Sequence, residues 1–104
     1  MADALCELTT TDFDEAVSDR SAIVEFWAPW CGPCRQLAPE LESLAAAHPE
    51  LLVAKVNIDE EPALAHRFGV MSIPTTLHLV RGVVLAHVVG AMAAGRLAVA
   101  LNLD

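Results

Sequence analysis

The sequence predicts an α/β fold on three observations. Strand-like and helix-like stretches alternate at short spacing, 55% of the residues are hydrophobic, and two cysteines one helical turn apart follow directly on an apolar run. A chain of 104 residues is long enough to bury a core without disulfide staples. No linker, internal repeat or low-complexity tract divides it, so one domain over residues 1–104 is expected.

Leu5 to Leu8 reads as a short strand, with Cys6 packing beside Leu8 as a small apolar residue. Thr11 is placed to cap a short helix whose first turn holds Asp12, Asp14 and Glu15, where carboxylates suit the helix dipole. The run Ala22-Ile23-Val24-Glu25-Phe26-Trp27 predicts a buried strand. From Pro33 to about His48, Leu37, Leu41, Leu44 and Ala45 recur at helical spacing. Pro39 lies inside that helix and is expected to kink it.

Residues 51–57 form a third strand candidate. Asp59 then reads as the cap of a helix with Pro62 in its first turn and Gly69 at its end. Thr75 to Val80 and Val83 to Val89 flank Arg81-Gly82, the pattern of a two-residue hairpin. Ala93 to Leu101 closes the chain as a helix, which Gly95 weakens by ~1 kcal/mol relative to alanine.

Six basic and fourteen acidic residues give a formal charge of -8, which repels nucleic acid and anionic membranes. No stretch has the length of a membrane span. Met1 to Cys6 has neither a basic n-region nor an apolar h-region, so no export signal is read there. Three cysteines in such a chain fit a reducing compartment, and a cytoplasmic location is expected.

The motif Trp30-Cys31-Gly32-Pro33-Cys34 carries the chemistry. Cys31 falls at a helix N-terminus, where unpaired backbone N–H groups and the helix dipole favour a thiolate over a thiol. It should ionise more easily than a free cysteine. Cys34, one turn further in and covered, should keep its proton until a neighbour removes it, which divides the pair into nucleophile and resolver. A zinc site would need two further ligands at workable spacing. There is no second Cys-x-x-Cys, and His48, His66, His78 and His87 make no His-x-x-x-His pair, so no metal is expected and redox chemistry is favoured.

These residues bring the chain to a known pattern. It resembles the thioredoxin family from end to end. Phe26-Trp27-Ala28-Pro29-Trp30-Cys31-Gly32-Pro33-Cys34 is similar to the family's active-site signature, and Pro39, Lys55, Ile73-Pro74-Thr75, Gly82 and Gly90 follow in the expected order. The resemblance implies a central mixed five-stranded sheet flanked by four helices. It also implies a protein-disulfide reductase in which Cys31 attacks a partner's disulfide and Cys34 resolves the mixed disulfide. An NADPH-dependent flavoprotein thioredoxin reductase would recharge the pair, so the chain itself need hold no cofactor. By the same resemblance Trp30, Gly32, Pro33, Ile73, Pro74, Gly90 and Ala91 line the substrate groove, Pro74 is cis, and the chain acts as a monomer. The alternatives are a redox protein dedicated to one partner and a scaffold of this fold without thiol chemistry.

The chain departs from the family pattern at several positions. Glu25 stands where many bacterial members carry a buried aspartate. A carboxyl in an apolar strand is expected to have a raised pKa and to take the Cys34 proton, with Lys55 on the adjacent strand opposing the shift. A mutually neutralising buried pair is the other reading of Glu25 and Lys55. Arg35 replaces a common lysine, and Met71-Ser72 a commoner Arg-Gly-like pair. With a two-residue hairpin, His78 and His87 should lie diagonally on one sheet face. The second hairpin strand, Val83 to Val89, is apolar on both faces, which is unusual at a sheet edge.

Overall fold

The computed structural model describes residues 5–103; Met1–Ala4, where most of the export-signal reading falls, and Asp104 lie outside the described residues. Strands β1 (Cys6–Glu7), β2 (Ser21–Trp27), β3 (Leu52–Asn57), β4 (Thr75–Val80) and β5 (Val83–Val89) alternate with helices α1 (Phe13–Val17), α2 (Gly32–Ala47), α3 (Pro62–Arg67) and α4 (Ala94–Ala100). The strands form one sheet in the order β1-β3-β2-β4-β5. β3 runs parallel to β1 and β2, and β4 runs antiparallel to β2 and β5, so the sheet is mixed as the resemblance implies.

Two apolar layers sandwich this sheet. Phe13, Val17 and Leu64 from α1 and α3 pack on Val24, Phe26, Val56 and Leu79. On the opposite face Leu37, Leu41 and Leu44 from α2, Leu97 from α4 and Leu101 just after it pack with Ile23 and Val53. Central β2 is covered by both layers, and Ala22 through Phe26 are buried without a break. A strand buried on both faces has no reason to alternate polar with apolar residues, and this one does not.

The helix boundaries correct several expectations. The N-cap position of α1 is held by Asp12, not Thr11; the Asp12 Oδ1 accepts the Thr9 N–H at 2.7 Å, which turns the chain into the helix one residue later than expected. The cap of α3 is Glu61, with Pro62 at the first turn, because Asn57 opens a turn that carries the chain past Asp59 first. α2 includes Pro39, as expected. At the end of α3, Gly69 N–H bonds to His66 O and Val70 N–H to Ala65 O, a Schellman-like closure that aims residues 70–74 across the sheet end.

Two further expectations fail for physical reasons. Cys6 is exposed, not packed beside Leu8, because β1 is a two-residue edge strand whose outer side carries no cover. His78 and His87 face opposite sides of the sheet. Arg81 and Gly82, both at positive φ, make the two-residue turn, but a bulge at Leu85 shifts the pairing so that His87 opposes Leu77 and His78 opposes Ala86. One extra residue exchanges the faces of everything beyond it. His78 is buried on the α4 side, its Nδ1 donating to Leu101 O at 2.6 Å.

Candidate redox site

β2 ends at Trp27, and Ala28, Pro29 and Trp30 carry the chain over the sheet end into α2. Cys31 holds the N-cap position of that helix with extended backbone, and the N–H of Cys34 donates to its Sγ at 3.2 Å. Pro33 sits in the first turn, where a missing N–H costs nothing. Cys31 and Cys34 form a disulfide with Cα atoms 5.3 Å apart. Ala28 is buried with the two cysteines, and Trp27, Ile58 and Ile73 pack around them. Gly32 is half-buried and Pro33 exposed at the same turn.

Trp30 is 65% exposed, an apolar shelf beside the disulfide. Its indole N–H donates to Asp59 Oδ2 at 3.0 Å, which fixes the ring. Sequence reasoning assigned Asp59 to a helix cap and missed this role; its position just past the end of β3, level with the cysteine motif after β2, was the available signal. Arg35 Nη1 donates to Pro29 O at 2.8 Å and ties the loop before Cys31 to the first turn of α2.

Across from Cys31, the Ile73–Pro74 peptide is cis. Pro74 is buried and Ile73 half-buried. Gly90, at the end of β5, donates its N–H to Pro74 O at 2.8 Å and has φ +104°, a conformation that excludes most side chains. A Cβ built there would meet open space, so the backbone at Gly90 and exposed Ala91 is approachable from outside.

Beneath the disulfide, Glu25 and Lys55 are neighbours in the β2–β3 register. Glu25 is 2% exposed, and the Lys55 ammonium lies 4.7 Å from the centre of the Trp27 ring. Glu25, Lys55, Cys34 and Arg35, with Leu5, Trp27 and Ala38, line a mostly apolar crevice of about 140 Å³, large enough to admit water beside the Glu25 carboxyl. The structure therefore places Glu25 and Lys55 in one crevice with Cys34, packs Ile73 against the disulfide and bonds Gly90 to Pro74. Among the described residues no group of three or more His, Cys, Asp or Glu side chains is arranged to hold a metal ion.

This geometry matches known proteins. The thioredoxin family model covers residues 4–102. The chain belongs to the thioredoxin family. It is 49% identical over 76 residues to a thioredoxin of Alicyclobacillus acidocaldarius subsp. acidocaldarius, covering 71% of this chain and 72% of that one. It is 44% identical over 93 residues to a thioredoxin of Streptomyces clavuligerus, covering 88% and 87%. Among solved structures it superposes with a TM-score of 0.86 and 27% identity on a chain from work on the thiol resolving mechanism of yeast mitochondrial 1-Cys peroxiredoxin via glutathione/thioredoxin systems, over 95% of this chain and 94% of that one. With its paired cysteines, this thioredoxin-family chain is a protein-disulfide oxidoreductase whose substrates are disulfide-containing proteins. No helix among the described residues is long and apolar enough to cross a membrane.

Proposed function

We propose that this protein is a cytoplasmic, monomeric disulfide reductase in which Cys31 attacks and Cys34 resolves, recharged by an NADPH-dependent flavoprotein thioredoxin reductase. The observation that carries the division of roles is the asymmetry of the two sulfurs. Cys31 Sγ accepts a helix N-terminal N–H, whereas Cys34 shares its crevice with Glu25 and Lys55.

The Cys31 thiolate attacks one sulfur of the partner's disulfide; that bond breaks, the other sulfur leaves as a thiolate and takes a proton from solvent. Trp30, Gly32, Pro33, Ile73, Pro74, Gly90 and Ala91 hold the partner's segment across the sheet end. Glu25 then takes the Cys34 proton through water in the crevice. The Cys34 thiolate attacks Cys31 Sγ, releases the second partner sulfur and leaves the Cys31–Cys34 disulfide. Lys55 positions the Glu25 carboxyl and moderates its charge. Two electrons pass to the partner, and the reductase restores them. The net charge of -8 disfavours nucleic acid and anionic membrane as partners.

Single-turnover kinetics test the assignment. Glu25→Gln should leave mixed-disulfide formation unchanged and slow its resolution at neutral pH by roughly a hundredfold, the usual scale for losing a positioned base. Equal resolution rates would remove Glu25 from the mechanism. NADPH oxidation coupled through a purified flavoprotein thioredoxin reductase tests the recharging step, and its absence would point to another electron donor.

A further inference from the structure

The bulge in β5 builds a surface that the redox mechanism does not use. By shifting register at Leu85 it turns His87 and Val89, paired with Leu77 and Thr75, to the same face as Val84, paired with Leu79, which is the α3 side of the sheet. There they line, with Phe68, Val70 and Leu77, a groove of about 320 Å³. Val84 and Val89 are 41% and 56% exposed in it. A second depression, of about 330 Å³, lies between Trp30, Ile58 and Ile73. Ile58 and Ile73 pack directly on the disulfide, so any protein that presents its own disulfide to Cys31 must cover that depression.

The two hollows are joined. Val70, Met71 and Ser72 line both, and Met71 stands 96% exposed on the rim between them. An extended segment advances about 3.3 Å per residue, so a partner chain leaving the redox depression reaches the groove within a few residues. Among the described residues His87 is the only titratable side chain lining either hollow, so the trough selects for apolar rather than charged side chains.

We propose that the groove formed by Val84, His87, Val89 and Phe68 is a docking subsite for the reacting partner protein, receiving a leucine- or phenylalanine-like side chain from the extended segment that flanks the partner's disulfide. The proposal rests on the reading in which Cys31 attacks that disulfide. Continuity with the redox depression identifies the occupant as the reacting partner. An apolar side chain settling there leaves water and holds the segment in line for attack.

The test uses disulfide-linked dimers of short peptides with leucine or serine about three to five residues from the cysteine, spaced to reach the groove in extended form. The fully reduced wild-type protein should reduce the leucine peptide with roughly tenfold higher kcat/KM than the serine peptide, the low end of what filling an apolar pocket yields. Val84→Asp, and the milder Val84→Ser, should bring the leucine peptide down to the serine rate, with hydroxyethyl disulfide, too small to reach the groove, as the control for folding. No preference in the wild type, or a preference that survives both variants, overturns the proposal. So does a result in which the variants change only sedimentation of the protein, because the groove would then serve self-association. Failure of the underlying redox reading is seen separately: Cys34→Ser should trap a mixed disulfide with hydroxyethyl disulfide and Cys31→Ser should not.

Discussion

Strands β2 and β5 each have seven residues, and β5 is the more apolar of the two, yet β2 is buried almost throughout while β5 buries only Val88. The difference lies in position. β2 sits between β3 and β4 with helices over both faces, whereas β5 is the sheet edge, covered on the α4 side and open on the other. Hydropathy alone therefore ranks the two strands wrongly. β2 spends its burial on holding Glu25 beneath Cys34 and delivering the cysteine loop to the sheet end. β5 leaves apolar surface free for whatever docks there.

The sharpest way to break the comparison is to remove one residue from each strand. Deleting Val24 reverses the faces of half of β2 and drives buried apolar side chains out of register, so the variant should not fold, as circular dichroism and a soluble-yield assay would show. Deleting Leu85 removes only the bulged residue and leaves the pairs on either side intact. That variant should fold and keep His78 against Leu101. Equal damage from both deletions would mean that the edge is as tightly specified as the centre.

A smaller effect follows from truncating side chains in place. Ile23→Ala empties a fully buried position and should cost about 2–5 kcal/mol. Val83→Ala, at a residue 63% exposed, should stay within about 0.5 kcal/mol. Urea unfolding of the oxidised proteins gives both numbers, and similar values for the two would contradict the assigned burial.

The same contrast explains what was legible in the sequence. The order of strands and helices, the placement of Cys31 at a helix start and the two-residue turn at Arg81-Gly82 were all readable, because each depends on local spacing and turn chemistry. The joining of the five strands into one mixed sheet and the cis bond before Pro74 came only through the family resemblance. What local reading missed was set by distant contacts. Asp59 became the partner of Trp30 instead of a cap, since only the pairing of β3 beside β2 sets it level with an indole 29 residues away. The faces of His78 and His87 depended on a bulge that no turn residue announces. Cys6 looked like a core residue by type, and only the sheet order shows that its strand lies at an edge.

The smallest expected effect concerns the helical cover that makes β2 and β5 differ. Arg67, in the last turn of α3, donates to both carboxylate oxygens of Asp14 on α1, at 2.8 and 3.2 Å, while its guanidinium lies over the rings of Phe13 and Phe68. This contact pins the end of α3, and with it Phe68, the wall of the groove beside β5. The hydrogen bonds and charge of Arg67 hold the Asp14 carboxyl below its ordinary pKa. A carboxyl whose pKa is lowered on folding contributes stability that is present above its unfolded value, about 3.9, and is lost as pH falls through the folded value. Asp14→Asn should therefore be slightly less stable than wild type near neutral pH, and the two should converge in acid. Because the pair is exposed the gap is small. A difference in urea midpoint that stays constant from neutral to strongly acidic pH would show that Asp14 acts through packing or helix propensity and that its charge does not pin α3.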